Sequence, residues 1–75
     1  MTIEITAIEF DTIDEAIQHT YASGRGDAVL LDGKRYVMDR AESERLAAAG
    51  IEFAYAFDHE MPDGSFRIVT VPVND

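Results

Sequence analysis

The amino-acid sequence predicts an α+β fold with elements in the order β-α-β-β-α-β-β. Three signals carry that prediction. Two segments are punctuated as helices by caps and glycine stops, an Asp32-Gly33 pair separates two apolar runs, and Ile51, Phe53, Tyr55 and Phe57 alternate as one apolar row.

Residues 2–10 are rich in β-branched residues and alternate in polarity, as a half-buried strand does. The alternation breaks midway. Ile3, Ile5 and Ala7 hold odd positions, whereas Ile8 and Phe10 hold even ones, so a bulge or an early end is expected near Ala7. The first helix follows over 12–23. Thr12 and Glu15 fit a capping box, Asp14 and Glu15 suit the positive end of the helix dipole, and Gly24 is a suitable stop. Ile13, Ala16, Ile17 and Tyr21 recur at spacings of three and four and form its apolar face.

Ala28–Leu31 and Arg35–Met38 flank Asp32-Gly33, a pair suited to a type I′ hairpin turn. That turn sets Leu31 opposite Lys34 and Val29 opposite Tyr36. Apolar groups on both faces of the hairpin predict interior strands. A second helix is expected over 40–49, with Asp39 as N-cap, Glu42 three residues on, and Gly50 at a position that favours positive φ. Leu46 and Ile51 are spaced for the hydrophobic contact of a Schellman motif.

Residues 51–58 read as a strand, Pro62-Asp63-Gly64 as a turn, and 65–71 as a last strand. Pro72 ends that strand or places it at a sheet edge. A ferredoxin-like split β-α-β sheet, with two helices on one face and an added C-terminal strand, accommodates this order as one domain of residues 1–75.

Composition narrows function. A domain of 75 residues buries only about 60% of the surface its unfolded chain exposes. With no cysteine it lacks disulfide and thiolate-metal staples, which leaves dimerisation as a route to further burial. The hydrophobic share of 47% is that of a globular protein. Residues 2–10 do not have the pattern of a signal peptide, no apolar run approaches a membrane span, and a cytoplasmic location is the expectation.

The net charge is −9 and is unevenly spread. Residues 1–23 carry Glu4, Glu9, Asp11, Asp14 and Glu15 with no Lys or Arg; residues 24–50 balance five acids against five bases. Residues 51–75 set Glu52, Asp58, Glu60, Asp63 and Asp75 against Arg67 alone. Nucleic-acid binding draws on an excess of Lys and Arg, so no nucleic-acid partner is expected.

The densest polar cluster is Asp58-His59-Glu60 with Asp63 nearby, a weak candidate metal site. Neighbouring residues on an extended chain point to opposite sides, and the spacing does not match a calcium loop. A solvated loop is therefore the expectation, with no metal and no cofactor. His19 lies off the apolar stripe of its helix and reads as a surface histidine without a catalytic partner. Gly24-Arg25-Gly26-Asp27 contains a tripeptide that resembles the integrin-recognition sequence of adhesion proteins; a plain helix-to-strand loop is the expected reading. The aromatic row of Phe53, Tyr55 and Phe57 is expected to pack beneath the helices, and becomes an interaction surface where it is exposed.

In the order strand, helix, glycine-turn hairpin, helix, residues 2–50 resemble the prevent-host-death antitoxins of bacteria. That resemblance implies dimerisation, operator binding through basic residues, and toxin neutralisation by a disordered C-terminal tail. The chain departs from the pattern in having no Lys or Arg among its first 23 residues and strand-like residues at 51–73.

These observations favour a non-enzymatic protein-interaction or regulatory module, homodimeric or bound to a protein partner. The alternatives are an acidic inhibitor, antitoxin-like or mimicking nucleic acid, and a small-molecule or metal-binding domain using the 58–63 loop.

Overall fold

A computed structural model describes residues 3–74. Thr2, where the first predicted strand begins, and Asp75, one of the C-terminal acids, lie outside the described residues. The elements follow the expected order: β1 (Ile8–Phe10), α1 (Ile13–Ser23), β2 (Asp27–Leu31), β3 (Lys34–Met38), α2 (Arg40–Ala48), β4 (Phe53–Glu60) and β5 (Phe66–Val73). All five strands join one antiparallel sheet in the order β1-β3-β2-β4-β5.

This order departs from the ferredoxin-like arrangement. There the fourth strand sits beside the first; here β4 pairs with β2 through Ala28–Leu30 and Ala54–Ala56. β2 offers a five-residue strand with buried side chains on both faces, whereas β1 has three residues and carries Glu9. The docking of β4 also explains a second correction, that the helices lie on opposite faces. Crossover connections share one hand. The β1-to-β2 and β3-to-β4 crossovers travel the same way along the sheet, but they start from antiparallel strands. One hand therefore carries α1 and α2 to opposite sides.

Each face has its own core, drawn from alternate residues of the same strands. Ala16 and Ile17 of α1 pack with Ala28, Val37 and Ala56, flanked by Phe10, Ile13 and Ile68. On the other face Leu46 of α2 packs with Val29, Met38 and Phe53. Ile3, Ile5 and Ala7 join this second core, while Phe10 joins the first. The switch in polarity near Ala7 is thus where the chain passes from one face to the other, and only residues 8–10 of the predicted strand pair as a strand.

The helix ends are locally determined, with two departures. Thr12 caps α1, its hydroxyl accepting from the Glu15 amide at 3.2 Å, and Gly24 closes it at φ 72°. Tyr21 does not share the buried face and is 60% exposed. At about 100° per residue it stands roughly 80° round from Ile13, while Thr20 lies within about 20°. Asp39 stands at the N-cap of α2 as expected, but its side chain makes no capping hydrogen bond. Glu42 instead accepts from the Thr6 amide at 3.3 Å and from Arg45 at 3.1 Å, which fastens the N-terminal segment to the helix. The exit is a Schellman motif, with the Ile51 amide donating to the Leu46 carbonyl and the Gly50 amide to that of Ala47.

The β2-β3 hairpin pairs Leu31 with Lys34 and Val29 with Tyr36, and both strands are interior. Asp32 and Gly33 have φ of 51° and 77°, as a type I′ turn requires.

Candidate functional site

The β4-β5 hairpin is the longest paired element, running from Phe53–Val73 to Glu60–Phe66. Its root is covered by the body of the domain, but β2 reaches only Ala56. The outer half projects as an arm, and the molecule measures 46 × 26 × 20 Å.

The predicted aromatic row is divided by this geometry. Phe53 is buried beneath α2. Tyr55 is half-buried; its hydroxyl donates to Ser43 Oγ at 2.9 Å, and Ser43 in turn donates to the Arg40 carbonyl at 3.0 Å. The Arg40 guanidinium lies 5.0 Å from the centre of the Tyr55 ring and grips Asp27 with two bonds, at 2.9 and 3.1 Å. Hydrogen bonding and charge attraction from Asp27 raise the Arg40 pKa further above its ordinary value. Phe57, one step beyond, is 43% exposed. Val71 shares its face at 46% exposure, and Phe66 on the opposite face reaches 63%. Sequence reasoning did not single out Phe66 or Val71. The signal for them was the apolar run of β5 combined with Pro72, which marks an edge.

β5 is the outer strand of the sheet. The amide of Met61 donates to the Ser65 carbonyl at 2.7 Å and its carbonyl accepts from the Gly64 amide at 2.9 Å, so both polar groups of residue 61 turn inward and it occupies a hydrogen-bonded position of the hairpin. Such positions alternate along an antiparallel ladder. With the register of β4 and β5, the amides and carbonyls of Phe66, Ile68 and Thr70 face away from β4. Pro72 falls in the same series, where its missing N–H disturbs no bond to β4. The opposite edge is different in kind, since β1 offers three residues that include Glu9 and end beside Asp11. Short, charged edges resist pairing; long apolar ones invite it.

The other candidate residues do not assemble into a site. Asp58 and Glu60 share the α1 face of the hairpin, while His59 points to the α2 face. Asp63 is engaged in the turn, accepting from the Ser65 amide at 2.9 Å and its hydroxyl at 2.6 Å. Those bonds hold the Asp63 carboxyl below its ordinary pKa. No group of three or more metal-ligating side chains converges among the described residues. His19 is half-buried at the surface, its ring 5.3 Å from that of Phe10. Ser23 lines a shallow cleft of about 270 Å³ with His19, but its hydroxyl donates to the His19 and Arg25 carbonyls and makes no bond to the imidazole. Within the Arg-Gly-Asp tripeptide, the carboxylate of Asp27 is taken up by Arg40.

The two acidic segments sit on different parts of the sheet. Residues 4–15 accompany β1 and the start of α1, residues 52–63 accompany β4, and β3 and β2 lie between. No helix among the described residues is long and apolar enough to cross a membrane. Compared with protein-family models, curated proteins and solved structures, the chain matches none.

Proposed function

We propose that the chain is a small non-enzymatic protein-interaction module whose binding element is the β4-β5 hairpin. One observation carries this reading: an eight-residue outer strand with an unpaired apolar edge, beside exposed Phe57, Phe66 and Val71. Phe57 and Val71 lie on one face of the hairpin and Phe66 on the other, so both faces carry exposed apolar groups, and such groups mark interaction surfaces where they are contiguous.

The test places a photoreactive residue at Phe66 and, separately, at Glu44 on the exposed side of α2, followed by irradiation in native cell extract. Adducts formed from position 66 and not from 44, whether with a second copy or with another protein, support the reading. Adducts only from 44, or none from either, overturn it.

A further inference from the structure

We infer that the outer edge of β5 pairs with β5 of a second copy of this chain, joining two five-stranded sheets into one continuous antiparallel sheet about a two-fold axis. This inference rests on the reading of the hairpin as the interaction element and names its occupant.

Three observations select a second copy. The first is self-complementarity. Phe66, Ile68 and Thr70 each present an amide and a carbonyl outward, so two β5 edges running antiparallel satisfy each other with no further element. Pro72 presents a carbonyl only, and registers that slide toward it lose donors. The axis is thereby held near Ile68 and Val69.

The second is charge. The chain carries −9 overall, which opposes association of two copies through most of its surface. β5 contains Arg67 and no acid. With the axis near Ile68 and Val69, Arg67 lies across from Val69 or Val71 of the second copy, not from its own image. Like charges are kept from facing each other across the junction.

The third is area. A compact monomer of 8.3 kDa exposes about 4,600 Å². This chain exposes 5113 Å², a surplus of roughly 500 Å² over that scaling. One side of a small stable interface covers about 600 Å², a figure of the same order as the surplus.

The experiment uses the purified chain. Sedimentation across a dilution series is combined with hydrogen exchange of individual backbone amides by NMR. At the concentrated end the mass is expected near twice 8.3 kDa, with the amides of Phe66, Ile68 and Thr70 protected. On dilution those three lose protection, while the amides of Val69 and Val71, which face β4, keep theirs. Thr70→Pro removes an outward donor without touching the β4 ladder and is expected to keep the mass at that of one chain throughout. If this variant does not fold, the exchange pattern of the parent decides alone.

A chain that stays monomeric at every concentration overturns the inference. So does a dimer whose Phe66, Ile68 and Thr70 amides exchange freely, because its interface then lies elsewhere. A monomer that crosslinks through position 66 to another protein defeats self-pairing and leaves the hairpin reading intact. A monomer that crosslinks to nothing defeats both.

Discussion

The phenolic hydroxyl of Tyr55 donates to the buried hydroxyl of Ser43 at 2.9 Å, tying the middle of β4 to α2 across one face of the sheet. Ser43 passes the bond on to the Arg40 carbonyl, so its hydroxyl acts as both donor and acceptor. An intramolecular hydrogen bond of this kind contributes about 1 kcal/mol net. Tyr55→Phe and Ser43→Ala are each expected to destabilise by about 1 kcal/mol, lowering the melting temperature by roughly 4–8 °C in a domain this size. The double variant should cost less than the sum, because both changes remove the Tyr55–Ser43 bond. Additive losses in thermal melts would show that the two groups act independently.

Leu46 is the main apolar contribution of α2 to its core and is essentially inaccessible to solvent. Leu46→Ala is expected to cost about 2–5 kcal/mol through lost transfer energy and a residual cavity. Domains gain only about 0.05–0.15 kcal/mol per residue from folding, so this one change removes much of the stability. Urea unfolding measures it. A shift in free energy under about 1 kcal/mol would mean that α2 is not firmly docked.

Gly26 sits at φ 89°, and a Cβ there would meet the Val37 side chain at 3.0 Å and the Met38 carbonyl oxygen at 3.4 Å. Gly26→Ala therefore adds contact strain to a backbone penalty of about 1–2 kcal/mol. Gly24→Ala has a similar φ of 72° but nothing within 4 Å, and isolates the backbone part. The Gly26 variant should be the less stable of the two by chemical denaturation; equal losses would remove the packing argument.

Asp63 carries a pH prediction. The Ser65 hydroxyl and amide stabilise its carboxylate and hold its pKa down. A depressed folded pKa means that the contribution is present above the unfolded value and is lost as pH falls through the folded one. NMR titration should place the Asp63 midpoint below the ordinary aspartate value, and Ser65→Ala should move it upward. An unchanged midpoint in that variant would refute the assignment to Ser65.

Local structure was legible wherever a short stretch determined its own conformation. The Asp32-Gly33 turn requires positive φ at both positions, which fixes the register of Leu31 with Lys34. Thr12 with Glu15, and Gly50 with Leu46 and Ile51, likewise act within a few residues. Asp39 stands at the N-cap of α2 as its sequence position indicates, although its side chain makes no capping hydrogen bond. Tyr21 misled because spacings of three and four drift around a helix, and only the docked face decides which residue is covered. In the candidate site, Phe53, Tyr55 and Phe57 were legible as one row, but their division was not. Where β2 stops and how far α2 reaches are properties of other segments of the chain.

By itself the sequence determined the number, kind and order of the elements, the turns between them, and the net charge of −9. Tertiary structure decided where β4 docks. Pairing with β2 instead of β1 sent α2 to the opposite face of the sheet, because crossovers of one hand starting from antiparallel strands diverge. The same choice left β5 as the outer strand, with Phe66, Ile68 and Thr70 turned outward. Strand pairing joins residues far apart in sequence, and no local pattern encodes which of two apolar strands will accept a third.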